Sequence, residues 1–121
     1  MKRTILLVIA FIFCSSSFAL GLNTGKEVLD ACTTTKLVLT GQSSDSRSAE
    51  ACIHFLMGFD SGQAVSSIAF EQPKIYCQPT GTNIGHMVTV VTEELSKDSS
   101  YHEAPAGYAV WQALSKSWPC K

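Results

Sequence analysis

Apolar residues recur at three- and four-residue steps in several segments of the chain, which is the spacing of amphipathic helices. The clearest stripe consists of Ile84, Met87, Val88, Val91 and Leu95. A longer segment, from about Ser46 to Phe70, carries Ala49, Cys52, Ile53, Leu56, Met57, Val65 and Ile68 mostly at the same steps. Gly58 and Gly62 lie four residues apart within it, and we expect them to let a neighbouring helix approach closely.

Polar residues and glycines mark where these helices begin and end. Thr24 and Glu27 have the spacing of a capping box, in which each side chain satisfies the other's backbone N–H. Gly41 is a typical helix stop. The following two helices have candidate N-cap residues in front of them: Asp45 or Ser46, and Thr82 or Asn83. Three helices are therefore bounded by local signals.

Two linking segments and a fourth helix complete the pattern. The stretch 71–81 contains Pro73 and Pro79 and is expected to lack regular helix. The polar stretch 96–103 contains Ser100 and Glu103 at capping-box spacing, ahead of the last helix. That helix is predicted to turn one face inward: Val110, Trp111, Leu114 and Trp118. The pattern predicts an all-α domain of four helices.

The first residues have the organisation of a secretory signal peptide. Lys2 and Arg3 precede an apolar run from 5 to 13, and the small residues Ser17 and Ala19 suit a signal peptidase. The run is shorter than the roughly 20 residues that span a bilayer. We predict cleavage after Ala19, which leaves one domain over residues 20–121 and no membrane segment.

Four cysteines follow the predicted cleavage site: Cys32, Cys52, Cys77 and Cys120. In a short exported chain this number is typical of disulfides. Three pairings are possible. We favour Cys32–Cys52 and Cys77–Cys120, because each pair then joins neighbouring elements of the helical map. In the chain-entropy model such loops would contribute about 3 and 4 kcal/mol to stability.

Charge and candidate chemistry argue against nucleic-acid binding and against catalysis. The chain carries a formal charge of −1, and without Lys2 and Arg3 it keeps seven basic and ten acidic residues, a charge near −3. No basic patch is evident. The sequence also lacks a Gly-x-Ser-x-Gly elbow, and we predict no metal or cofactor. Of the histidines His54, His86 and His102, the last is expected to be the most accessible.

The order and spacing of the cysteine motifs resemble those of a known family. The motifs are Leu29-Asp30-Ala31-Cys32, Ala51-Cys52-Ile53-His54-Phe55-Leu56-Met57-Gly58, Tyr76-Cys77-Gln78-Pro79 and Trp118-Pro119-Cys120. Together they are similar to the Rap/Tai family of periplasmic immunity proteins, which protect bacteria from peptidoglycan amidases injected by type VI secretion. The similarity covers nearly all of the chain after Ala19.

The resemblance implies a fold like that of periplasmic acid-stress chaperones, often a dimer, and a cognate amidase effector inhibited by a loop that enters its active-site cleft. The matching loop here is 96–103. We predict that its partner-binding residues are Lys97, Asp98, Ser99, Ser100, Tyr101 and His102. Tyr101 would be the main anchor. The alternative is a solvated loop in which Tyr101 covers the edge of the core. The alternative function, suggested by fold similarity alone, is that of an acid-stress chaperone.

Overall fold

Four α-helices make up most of the computed structural model, which describes residues 21–121; the predicted signal peptide lies outside them. The helices are α1 (Gly25–Leu39), α2 (Ser46–Ala69), α3 (Ile84–Lys97) and α4 (Ala106–Ser117), and a 3-10 turn (Ser99–Tyr101) lies between α3 and α4. Over these residues there is no strand, only an isolated bridge between Thr24 and Pro105. The prediction of an all-α fold is confirmed. Within the same range, no helix is long and apolar enough to cross a membrane.

Local signals fix both ends of α1 as the sequence predicted. The Thr24 hydroxyl accepts from the Glu27 N–H at 3.3 Å, and the Glu27 carboxylate accepts from the Thr24 N–H at 3.1 Å. At the other end Gly41 adopts a φ of 72°, which glycine tolerates without strain. That conformation lets the Gln42 N–H reach back to the Leu37 carbonyl at 2.8 Å, as in a Schellman motif.

Helix α1 is the centre of the fold, since it packs against the three other helices, and α3 also packs against α2 and α4. The fully buried core includes Val28, Cys32, Cys52, Leu56, Tyr76, Val91, Leu95, Ala109, Val110 and Leu114. Two disulfides are formed, Cys32–Cys52 and Cys77–Cys120, which is the pairing favoured from the helical map. The first joins α1 to α2, and the second joins the α2–α3 connector to the C-terminus.

The outer half of α2 departs from the predicted stripe. Met57, Val65 and Ile68 were expected to face the core, but their side chains are 52%, 58% and 83% exposed. Beyond Leu56 the inward side of α2 carries Phe59, which packs against the core, together with Asp60 and Gln63, which bond to the connector. The apolar residues of α2 therefore lie on two different faces, and spacing by threes and fours did not separate them.

The prediction that Gly58 and Gly62 admit a neighbouring helix within the domain is wrong. Both are exposed, and a Cβ built at either position would meet nothing within 4 Å. They lie on the outward side of α2, so their cost in helix propensity, about 1 kcal/mol each, is not offset by packing within the described domain.

The α2–α3 connector is held in place by Tyr76, the largest fully buried side chain. Its hydroxyl donates to Asp60 Oδ1 at 2.6 Å, and the backbone N–H groups of Ile75 and Tyr76 donate to Gln63 Oε1 at 2.8 and 3.0 Å. Its ring lies 6.4 Å from that of Trp118. A connector without regular helix therefore has a fixed path, which brings Cys77 to Cys120.

Helix α4 turns small residues inward and places its two largest aromatic residues outward. The buried residues of α4 are Ala106, Ala109, Val110, Ala113 and Leu114. Trp111, predicted on the inward face, is 36% exposed, whereas Trp118 is buried as expected. Alanines let α4 lie close to its neighbours, and this leaves no space for an indole on that side.

Candidate protein-binding surface

The predicted contact residues 97–102, which we call the turn, begin with the last residue of α3, Lys97, and continue as a compact connection to α4. Asp98 ends α3 and caps the 3-10 turn, because its carboxylate accepts from the Ser100 N–H at 2.9 Å. The His102 N–H closes the turn by donating to the Ser99 carbonyl at 3.0 Å. The capping box expected from Ser100 and Glu103 does not form, since Asp98 supplies the cap and α4 begins only at Ala106.

Asp98 is charged in this turn. Hydrogen bonding from Ser100, first through its side chain and then through its backbone, lowers the pKa of Asp98, and Lys116 and His102 lower it further. A carboxylate with a lowered pKa in the folded state contributes stability above its unfolded pKa, about 4. That contribution to stability is lost as the pH falls through the pKa of Asp98 in the folded protein. At neutral pH Asp98 is therefore ionised and can accept the hydrogen bond from the Ser100 N–H.

The backbone of the turn is docked on the start of α1. The Gly25 and Lys26 N–H groups, which have no acceptor within their own helix, donate to the carbonyls of Ala104 and His102 at 3.0 and 2.9 Å. The Ala106 N–H donates to the Asn23 carbonyl at 2.8 Å. The two segments approach so closely that a Cβ at Gly25 would lie 2.1 Å from the Tyr101 carbonyl oxygen. The turn is therefore held from outside as well as from within.

Lys97 is already paired. Its ammonium lies 2.7 Å from Glu94 Oε1, and Lys116 approaches Oε2 at 3.3 Å, close enough for an ion pair although not with hydrogen-bond geometry. Glu94 is only 12% exposed, and the hydrogen bond from Lys97 is the largest cause of its lowered pKa. Glu94 thus offsets one of the two positive charges that Lys97 and Lys116 place beside the turn.

The side chains of the turn differ in how far they are available to a partner. Ser99 and Ser100 are exposed, whereas Tyr101 and His102 are partly buried. Tyr101 packs against the core. His102 Nε2 lies 3.0 Å from the Leu95 carbonyl, where the tautomer protonated at Nε2 donates. The expectation that His102 is the most accessible histidine is wrong, since His54 and His86 are both exposed.

Two aromatic residues that the sequence analysis did not assign to a site extend this surface. The Tyr108 ring lies 6.5 Å from that of Tyr101 and 5.4 Å from that of Trp111, the second pair edge to face. Tyr108 is 47% exposed and Trp111 36%. We call Tyr101, Tyr108 and Trp111 the aromatic ridge. The signal that could have found it is the three-residue spacing of Tyr108 and Trp111, on a helix whose other face is rich in alanine.

The surface suits contact with another protein. Exposed serines on a fixed turn lie next to clustered tyrosine and tryptophan, residue types enriched where proteins bind one another. In residues 21–121, no group of three or more His, Cys, Asp or Glu side chains could hold a metal ion.

Comparison with known proteins identifies one family. A family model described as Rap1a immunity proteins matches residues 24–120, which include all four helices, both disulfides and the candidate surface. No curated protein and no solved structure matches the chain.

Proposed function

Because the chain belongs to the family of Rap1a immunity proteins, we propose that it is a periplasmic inhibitor of one peptidoglycan amidase effector delivered by type VI secretion. An immunity protein acts by binding its cognate effector. On this proposal it performs no catalysis of its own and protects the cell that makes it, and its relatives, by stoichiometric binding.

The proposed mechanism is occlusion of the amidase active-site cleft by the turn 97–102. The observation that supports it most is the docking of this turn on the start of α1, where the Lys26 N–H donates to the His102 carbonyl and the Gly25 N–H donates to that of Ala104, just after the turn. A segment that is ordered before it binds loses little conformational entropy on entering a cleft. The exposed Ser99 and Ser100 side chains would enter first, and their small size suits a narrow cleft.

Export to the periplasm is supported by two features of the chain. The first 19 residues have the pattern of a cleaved signal peptide, and two disulfides are typical of an oxidising compartment. The periplasm is where an injected cell-wall amidase would meet its substrate, so an inhibitor is needed there.

We predict that Ser99→Arg lowers inhibition of the amidase at least tenfold, about 1.4 kcal/mol, because a long charged side chain at the tip of the turn obstructs entry into the cleft. The matched control is Ser44→Arg, the same change in the exposed α1–α2 loop, which should inhibit like the unaltered protein. Inhibition is measured as the concentration that halves the release of stem-peptide fragments from peptidoglycan. Equal inhibition by both variants would show that the turn does not enter the cleft.

We also propose that the protein forms a homodimer through the outward face of α2. This face carries Met57, Val65 and Ile68 with the small residues Gly58, Ser61 and Gly62 around them, and no charged residue occurs from 61 to 70. An exposed apolar helical face without charge is typical of a protein interface. Glycines four residues apart would let two copies of the helix approach closely.

The double variant Val65→Asp, Ile68→Asp is expected to sediment as a single chain, because it places like charges in the dimer interface. The control Thr33→Asp adds a carboxylate at an exposed position of α1 and should leave the dimer intact. Analytical ultracentrifugation gives the mass of each species. A monomeric unaltered protein, or a double variant that still dimerises, would contradict this interface.

A further inference from the structure

The aromatic ridge suggests that two parts of the surface contribute differently to inhibition, one to the affinity and the other to the occlusion of the active site. We propose that Tyr108 and Trp111 supply most of the affinity for the effector, while the turn 97–102 blocks its active site. The inference rests on the proposed function and adds to it a specific pair of anchoring residues.

The rings of Tyr108 and Trp111 lie on the side of α4 away from its fully buried residues. The inward side of α4 packs through Ala109, Val110 and Leu114, which are completely buried. Tyr108 and Trp111 leave about half and a third of their side chains uncovered. Large aromatic residues on a well-packed helix lose little conformational freedom when they bind, because each ring has only two rotatable bonds.

The polar atoms of the ridge are also available. Within residues 21–121, the hydroxyls of Tyr101 and Tyr108 and the indole N–H of Trp111 make no hydrogen bond. In a protein interface such groups usually find an acceptor on the partner. The ridge thus offers an apolar body with donors at its edge, which fits a neutral effector surface that carries backbone carbonyls.

Charge and position favour the effector as the molecule that covers the ridge. The ammonium groups of Lys97 and Lys116 are matched by the carboxylates of Glu94 and Asp98, so these four groups carry no net charge that would favour or repel a charged partner. Through Tyr101 the ridge is continuous with the turn: the Tyr101 carbonyl accepts from the Ala104 N–H, and its ring neighbours that of Tyr108. An effector with its cleft over Ser99 would have the rim of that cleft on the ridge.

The test measures separately how tightly the protein binds the amidase and how completely it inhibits the bound enzyme. The double variant Tyr108→Ala, Trp111→Ala is compared with Phe70→Ala, which removes an exposed aromatic side chain at the end of α2. We expect the Kd for the amidase to rise about 100-fold in the double variant and less than threefold in Phe70→Ala. At saturating concentration the double variant should still inhibit completely, because its turn is intact.

Tyr108→Ala alone guards against a folding defect, since Tyr108 is the more exposed of the two residues; it should raise the Kd about tenfold with an unchanged circular-dichroism melting curve. If the unaltered protein inhibits the amidase and both ridge variants bind as tightly as it does, the ridge is not the anchor and the inference fails alone. If the unaltered protein binds no amidase, the proposed function fails and the inference fails with it.

Discussion

Replacing Gly25 with alanine should lower the free energy of unfolding by about 3 kcal/mol, the upper part of the range for overpacked interiors. The added Cβ would lie 2.1 Å from the Tyr101 carbonyl oxygen and 2.9 Å from the Ala109 Cβ. One neighbour is backbone and the other is on a buried helix, so neither can move without shifting an element. The hydrogen bonds from Gly25 and Lys26 to the turn would be strained at the same time.

The same substitution should therefore also weaken inhibition of the amidase, since the turn would leave its docked position. The matched control is Gly107→Ala in α4, where an added Cβ would lie 3.9 Å from Phe59 Cε2, an ordinary van der Waals contact; it should not lower the free energy of unfolding, since alanine favours a helix more than glycine does. Urea unfolding followed by circular dichroism measures both changes. If Gly25→Ala is as stable as the unaltered protein, α1 and the turn are not in the close contact described.

Truncating Tyr76 to alanine should cost about 4 kcal/mol, as for other large aromatic residues in protein cores. Tyr76 is fully buried, between the rings of Phe59 and Trp118 at 6.3 and 6.4 Å. A domain of this size has a total stability of about 5–10 kcal/mol, so the variant would be marginally folded. Thermal unfolding of the purified, disulfide-bonded protein measures the loss in the free energy of unfolding.

Tyr76→Phe separates the ring from the hydroxyl. It should cost about 1–3 kcal/mol, because Asp60 then loses its buried donor. Burial, and then the hydrogen bond to Asp60, raise the pKa of Tyr76. The contribution of Tyr76 to the free energy of unfolding is therefore complete below the pKa of tyrosine in the unfolded chain, about 10. It declines as the pH rises toward the higher pKa that Tyr76 has in the folded protein. In Tyr76→Phe the free energy of unfolding should not change with pH in this way. If the unaltered protein and Tyr76→Phe lose stability equally at alkaline pH, the Tyr76–Asp60 hydrogen bond is contradicted.

Elements bounded by local chemistry were predictable from the sequence. The Thr24 capping box, the Gly41 stop and the Asp45 and Asn83 caps each depend on residues within five positions of one another, and the structure contains them all. The apolar stripe of α3 was also predictable, because its residues lie three and four positions apart within one helix and all face the same side.

The features that depend on neighbouring helices could not be predicted in this way. Asp60 and Gln63 occupy inward positions of α2 because Tyr76 and its backbone need acceptors there, and this leaves Val65 and Ile68 on the outside. Trp111 lies outward because α4 packs through alanines. In both helices the apolar spacing is helical, but only the partner helix or connector decides which apolar residues are buried.

The candidate surface was predicted in part. The resemblance to an immunity family located the turn 97–102, yet the docking of this turn on Gly25, about 75 residues away in sequence, has no local signal. Tyr108 was missed because the contact residues were predicted only within the polar stretch 96–103, and Tyr108 lies beyond it in the next helix.

Stoichiometric inhibition of one amidase is tested by titrating the cognate amidase with the purified protein while the digestion of peptidoglycan is followed. We expect one amidase to be captured from the effectors of the type VI system, and its activity to fall to zero near one inhibitor chain per enzyme. The contradicting result is an amidase that stays active at excess inhibitor, or protection of many unrelated proteins only near pH 2–3, which would indicate an acid-stress chaperone.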